Sequence, residues 1–492
     1  MKTRHYLSII IFALYSMLCS AANRPLTLND VIKIAHERSY NAQAAKFRLN
    51  AAYWTFRSFR AELLPAINLS GNVMEFDHSK VEARDFESGL INYVDNNTLS
   101  NTMILSVDQQ IPELGGTISL QSYLHRLDQF DHNITTYNTQ PLRITYTQPL
   151  RSFNELNWQR KIAPVEYQKA QREYIESIEQ VTVTVTQLFF AAIIAQTQHQ
   201  QSIKNYQDLQ KLYETANKRF AIGTTTKNDM LQLELSVLNA KLDITNHKIT
   251  LDNQLFHLFS FLRLTGYDDV KLAVPENIPN IIVNVSEAVS YALENSSHTH
   301  RQTLTKLESE KALAKAKSKK GIQLQLRSEL GFSQTANNFT GAYAKLRDNE
   351  RIGLTLTLPI YDWGVSKGRV KVAEENLKLA KTQIEQEHEE YVHNVRKQVM
   401  KFNCLAEQCK TAQKAREISN ERYEIMKQRF EDGAISVTEL NTALDEAENS
   451  KARYISQLQT YWIDFYTLRH ITLYDWQRNI KLIADYDKII EK

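Results

Sequence analysis

Glycine and proline are scarce in this chain, 13 and 9 among 492 residues, against averages of about 7% and 5%. So few helix-breaking residues point to long uninterrupted helices. An excess of charge of one sign is also missing. The formal net charge of +3 falls to +1 if Lys2 and Arg4 leave with the N-terminal leader, which argues against a nucleic-acid partner. Beyond that leader there is no run of about 18 apolar residues, so no transmembrane helix is expected and entry into a membrane would be by β-strands. Phosphate loops and nucleophile elbows are absent. His388-Glu389-Glu390-Tyr391-Val392-His393 lacks the one-turn spacing of a paired zinc ligand set, and His298 and His300 read as solvated loop residues. No catalytic, cofactor or metal-binding set emerges.

Cysteine is nearly absent too. Of three, Cys19 falls in the leader, and Cys404 and Cys409 sit five residues apart in a helical stretch. They lie on different sides of a regular helix, so they are bridged only if the helix breaks there, and are otherwise partly buried thiols. The leader itself has Lys2 and Arg4, an apolar run over residues 6–18, then Ser20, Ala21 and Ala22. This is the pattern of a secretory signal peptide over residues 1–22.

What the chain does contain is a second copy of itself. Residues 213–241 are answered by 423–451, an offset of 210, with Arg219-Phe220 and Gly223 matching Arg429-Phe430 and Gly433. Each copy reads as helix, tight turn, helix. Gly223 and Gly433 stand where a helix C-terminus needs positive φ. Thr226 with Asp229, and Ser436 with Glu439, then make the capped start of the next helix. Leu231, Leu235, Leu238 and Leu242 step by 4, 3 and 4, a seam able to pack on a neighbouring helix. Pro149 and Pro359 keep the offset of 210, whereas Ala35 and Ala292 are 257 apart. The first copy therefore carries 47 extra residues between Ser70 and Pro149. Length alone suggests about three globular domains, but the duplication overrides that. The expected organisation is a first repeat over 23–270, a linker over 271–285, a second repeat over 286–474 and a charged tail over 475–492.

Within each repeat the order is helix, strands, long helical hairpin. Residues 27–64, capped by Thr27 or Asn29, and 286–320 read as single helices. Ile322, Leu324, Leu326 and Leu330 alternate with polar residues, as do Ile352, Leu354 and Leu356, and in the first copy Ile67, Leu69 and Val73, and Ile144 and Tyr146. Such alternation suits a transmembrane barrel strand or one face of a soluble antiparallel sheet. The extra residues include a hairpin over 102–127 around Gly115-Gly116, which either joins that sheet or extends from the surface. A helix follows, with Pro164 placed as a first-turn residue and nothing to break it before Gly223, spanning about 90 Å. In the second copy Val392, Val395, Val399, Phe402 and Ala406 form a heptad seam.

Leu358-Pro359-Ile360-Tyr361-Asp362-Trp363-Gly364, the two Arg-Phe-x-x-Gly turns and the 210-residue duplication together resemble the TolC outer-membrane efflux protein family. The resemblance covers about residues 26–474. It implies a mainly α fold with transmembrane β: an internally duplicated protomer of a homotrimer, sharing an outer-membrane β-barrel continued by a long periplasmic α-helical barrel. It further implies an exit duct passing small molecules from an inner-membrane pump through a periplasmic adaptor, or alternatively serving type I protein secretion. A non-transport periplasmic coiled-coil tether is the competing reading.

On that resemblance the periplasmic tip and gate comprise Gly223, Thr226, Asp229, Phe430, Gly433, Ser436 and Glu439. Arg219, Lys227, Arg429, Glu431 and Asp432 are the candidates for tip ion pairs. Phe430 stands where the family can carry tyrosine and Ile435 where it can carry a cation, so a closed iris through those two is not implied. Pairing of Lys227 with Glu431 or Asp432 across adjacent hairpins is the substitute. Asp229 and Glu439 also satisfy helix starts by themselves.

Overall fold

The computed structural model describes residues 25–84, 89–223, 226–266 and 270–490; the expected signal peptide lies outside them. The duplication is written into the helix boundaries. α1 (Leu28–Arg38) and α2 (Tyr40–Glu62) precede β1 (Ala66–Ser70), β2 (Glu75–Arg84), β3 (Ile91–Ile111), β4 (Gly116–Gln129) and β5 (Ile134–Arg151), which lead into α3 (Glu155–Ala221) and α4 (Lys227–Leu262). The second copy runs α5 (Val285–Asn295), α6 (His298–Lys320), β6 (Gln323–Ala336), α7 (Phe339–Ala342), β7 (Arg347–Thr357), α8 (Val365–Glu431) and α9 (Val437–Thr472). It closes with β8 (Tyr474–Asp475), β9 (Ile480–Lys481) and α10 (Tyr486–Ile489). α3 and α8 both have 67 residues, and α4 and α9 both have 36.

Two expectations about the helices are corrected. The single helices expected at 27–64 and 286–320 are each broken in two, at Ser39 and at Ser296-Ser297. Ser39 and Ser296 are extended (ψ 146° and 168°), and each N–H still reaches back to the carbonyl of Ala35 or Ala292. Pro164 does not open its helix. Asn154 caps α3 by accepting from the Asn157 N–H at 3.0 Å, so the helix is already under way and Pro164 lies inside it, leaving the carbonyl four residues back without its intrahelical donor.

Two compact units result. The first comprises Met1–Asn50, Ala170–Thr299 and His388–Lys492, the second Ala51–Lys169 and His300–Glu387.

In the first unit a core gathers Val31, Val185, Phe189, Ile193, Leu258, Phe402 and Tyr461, all almost fully buried. Val395, Val399 and Phe402 of the heptad seam lie in it. One 18-residue window of α3 is apolar enough to span a membrane, but 61% of it is buried in the unit; it is core, which the sequence reading of apolar runs passed over. The segment before α5 is pinned rather than loose. Gln196 exchanges two hydrogen bonds with Leu272 (3.0 and 2.9 Å), and Asn403 does the same with Val283 (2.9 and 3.0 Å). The tail also packs, with Trp476 and Ile490 buried. Cys404 and Cys409 are both free thiols, the first exposed and the second buried.

In the second unit one antiparallel sheet runs β1-β3-β4-β5-β6-β7, with β2 also on β3. Hairpin β3–β4 is a full member of it, which resolves the alternatives left for residues 102–127.

Candidate functional site

The two helix turns meet. Gly223 and Gly433 adopt φ of +79° and +78°, and each N–H is held by the carbonyl three residues back, Phe220 and Phe430, at 3.0 Å. Arg219, from the end of α3, donates through Nη1 to the Phe430 carbonyl at 3.0 Å. Its Nη2 lies where a Cβ on Gly433 would come within 2.6 Å, whereas the same addition at Gly223 meets open space. One guanidinium from the first copy is thus laid across the turn of the second. Ala216, Gly223, Thr226, Asp229 and Ser436 complete a cavity of about 320 Å³ around it.

The two carboxylates expected at the tip are held by their own helix starts. Glu439 accepts through Oε2 from the Ser436 N–H and hydroxyl at 2.8 and 2.9 Å, and its own N–H returns to Ser436 Oγ at 3.3 Å. Those donors, the backbone N–H first, hold its carboxyl below the ordinary range. Asp229 accepts from the Thr226 hydroxyl at 2.7 Å. Phe430 is not on the tip surface. It is buried with Leu212, Ala216, Leu233, Tyr423 and Val437, while its first-copy counterpart Phe220 is 39% exposed. Lys227, Arg429, Glu431 and Asp432 are exposed, and among the described residues none of them joins an ion pair within this chain.

Other polar groups of this region were not legible in sequence. Lys427 Nζ contacts Asp208 Oδ1 at 2.9 Å, both mostly buried, and burial, with Asp208 next, pushes the Tyr423 hydroxyl well above its ordinary value. Burial, reinforced by Asp445 and Asp243, raises Glu448. Lys451 is lowered by burial and by Lys204 and Arg416. Apart from Asp445, one turn before Glu448 on α9, these partners come from different helices, so spacing along the chain gives no sign of them.

The leucine seam of α4 finds no partner helix within one chain. Leu231, Leu235, Leu238 and Leu242 are 50–64% exposed, whereas Leu233 and Ala240 beside them, and Leu251, Leu255, Leu258, Phe259 and Leu262 further along α4, are buried. Within one chain α4 packs by those residues and leaves the four-leucine seam open.

The sheet is amphipathic in the inverted sense. Leu105, Leu120, Ile144 and Leu330, one from each of β3 to β6, are 41–49% exposed, whereas Ser106, Ser119, Thr145 and Glu329 on the other face are 8–9% exposed. The polar face is cross-linked from strand to strand. Asn68 donates to Asp108 at 3.1 Å, Ser106 and Ser119 donate to the same carboxylate, and Gln121 donates to Ser119 at 2.9 Å. Arg143 then donates to Gln121 at 3.1 Å and pairs with Glu329 at 3.5 Å. A soluble sheet buries its apolar face; this one shelters its polar face.

A family model described as outer membrane efflux protein matches residues 105–262 and 292–472. No curated protein matches the chain by sequence. Among solved structures, the CmeC outer membrane channel of Campylobacter jejuni is 16% identical, with a TM-score of 0.64 over 94% of this chain and 88% of that one. The outer membrane protein VceC of Vibrio cholerae is 15% identical, with a TM-score of 0.64 over 90% and 95%. The open state of the MtrE outer membrane channel of Neisseria gonorrhoeae is 13% identical, with a TM-score of 0.62 over 93% and 90%.

Proposed function

The chain belongs to the outer membrane efflux protein family, and from that premise we propose that it is the outer-membrane exit duct of a tripartite efflux system. It passes small molecules delivered by an inner-membrane pump and a periplasmic adaptor to the outside, and works as a homotrimer. The observation that carries this reading is the inverted sheet. An exposed apolar face and a hydrogen-bonded polar face suit a wall with lipid outside and water inside, and a periplasmic tether has no use for either.

The open seam of α4 and the two unpaired sheet edges support assembly, since one chain leaves both without partners. Transport needs no catalytic group here. The polar face offers many weak hydrogen-bonding sites and no deep trap, so solutes can leave as easily as they enter. The energy comes from the pump, and the tips, with Arg219, Asp229 and Glu439, are the place where the adaptor docks and the duct narrows.

The test is in-cell crosslinking from a photoreactive residue at position 436, with captured proteins identified by mass spectrometry. Capture of the adaptor of a proton-driven pump is the expected result. Capture of the adaptor of an ATP-driven protein exporter would transfer the role to secretion, and trimers that capture no adaptor would count against tip docking.

A further inference from the structure

The two halves do not supply equal shares of the sheet. The second half gives β6 and β7, whereas the first gives β1 to β5. β1 pairs with Ile104 to Asp108 of β3 and β2 with residues 91–100 of the same strand. Across the break between them the Thr102 N–H donates to Asn72 O at 2.9 Å, so the edge never leaves β3. Seven strands therefore fill six positions, and the surplus over a simple duplication is one hairpin, β3–β4.

That hairpin has every property of wall and none of a surface flap. Its strands are in register with each other from Thr98↔Gln129 to Ile111↔Gly116, and β4 is paired along its outer side with β5. Its alternation continues that of its neighbours. Leu69 pairs with Leu105, Val107 with Leu120, and Leu120 with Ile144, all on the apolar face, while Ser106, Asp108, Ser119 and Gln121 join the polar network. Its turn is fastened to the end of β5 and the start of α3. Asn154 donates to Pro112 O and Gln148 to Leu114 O, each at 2.8 Å, and Arg160 pairs with Glu113.

The edges are the second observation. Every neighbouring pair is antiparallel, and six positions is an even number, so β7 and β1/β2 run in opposite directions. An extra hairpin adds two strands and is the smallest insertion that keeps them so. Both edges carry lipid-type side chains, Ile67 and Leu69 on one and Ile352, Leu354 and Leu356 on the other, all 59% exposed or more. Their unpaired backbone groups cannot stay open in hydrocarbon.

We propose that β7 of each chain pairs antiparallel with β1/β2 of the next, closing one barrel of eighteen strands from three copies, with hairpin β3–β4 as part of its wall. The occupant of each edge is another copy of this chain, and the inference rests on the trimer proposed above. Barrels of 16–18 strands leave an aqueous channel rather than a side-chain-filled core. The membrane segment is then wide, and the girth of what passes is set at the helix tips.

The test uses the full-length protein in phosphatidylcholine vesicles, with Cys404→Ser and Cys409→Ala as background. A fluorophore at Leu105→Cys or Leu120→Cys is expected to be quenched several-fold by brominated acyl chains, as at Leu354→Cys, and labels at Ser106→Cys or Ser119→Cys not. Leu69→Cys combined in turn with cysteine at Ile352, Leu354 or Leu356 is expected to give a covalent trimer ladder. Quenching at Leu354 without quenching at Leu105 and Leu120 would overturn the wide barrel, as would a ladder formed when Ile144→Cys of β5, and not Leu69→Cys, is combined with the same β7 cysteines. Dye export by cells carrying the same variants reads the duct role separately: normal export with an unquenched hairpin would sink the eighteen strands and leave the duct standing.

Discussion

At the residue scale, the tip is held by one arginine acting on backbone, and this sets an order among substitutions. Gly433→Ala meets both a left-handed φ and the Arg219 guanidinium at 2.6 Å, whereas Gly223→Ala meets the φ alone. Alanine at a positive φ costs about 1 kcal/mol. Hydrogen exchange of the turn amides should therefore rise more in Gly433→Ala than in Gly223→Ala, and the difference should vanish once Arg219 is also alanine. Elsewhere Arg469 grips Glu179 through two hydrogen bonds of 2.7 and 2.8 Å, with Glu179 buried at 3% exposure. Arg469→Met strands that carboxylate and should lower stability by roughly 3–5 kcal/mol, read as a thermal shift in detergent; adding Glu179→Leu should recover much of it.

His36 makes the same core sensitive to acid. Burial, and then Arg469, hold its imidazole down to about 4, and its Nε2 lies 2.7 Å from the Thr182 hydroxyl. Above pH 6.5 it is neutral folded and unfolded, and nothing is lost. Between there and pH 4 the unfolded chain takes up a proton that the folded chain refuses, so stability falls by roughly 3 kcal/mol in total. Melting curves from pH 7 to 4 should show that slope, and His36→Gln should remove the His36 share, leaving that of His470, whose imidazole is also lowered by burial.

At the scale of the element, repeated bounds do not mean repeated roles. α4 and α9 have the same length and each buries a set of apolar side chains, yet α4 also leaves its leucine seam exposed, whereas α9, among the described residues, has no exposed large apolar side chain. In the proposed trimer that seam is an interface. Leu235→Asp and Leu238→Asp, at side chains 58% and 55% exposed, should leave the melting of the isolated chain unchanged. They should weaken assembly by about 2 kcal/mol per interface, or roughly 30-fold in dissociation constant, measured by mass photometry in detergent. The caps divide similarly. The Ser436 box includes its own backbone N–H donating to Glu439, whereas at Thr226 the exchange with Asp229 runs through the hydroxyl. Ser436→Ala should cost about 1 kcal/mol of local stability, seen as faster exchange over the first turn of α9.

At the scale of the whole molecule, the duplication organises the sequence but not the packing. Each compact unit takes segments from both repeats, and the two clusters of buried side chains do the same. In the proposed duct the tips dock an adaptor, so Arg219→Glu should reduce dye export and adaptor crosslinking while leaving trimer abundance on gels unchanged.

Much of this was legible in the residues alone. Periodicity, the scarcity of glycine and proline, and the offsets of 210 and 257 fixed the helices, the alternating strands and the paired turns, because these depend on neighbours along the chain. Gly223, Gly433 and the Thr226 and Ser436 caps are of this kind. The tertiary structure decided whatever depends on residues distant in sequence. It laid Arg219 on the turn of the other copy, buried Phe430 but not Phe220, paired Lys427 with Asp208, and seated hairpin β3–β4 inside the sheet. It also decided which face of each strand is sheltered. Alternation every second residue marks two faces but cannot say which one meets water, since that follows from how the strands are brought together in the sheet.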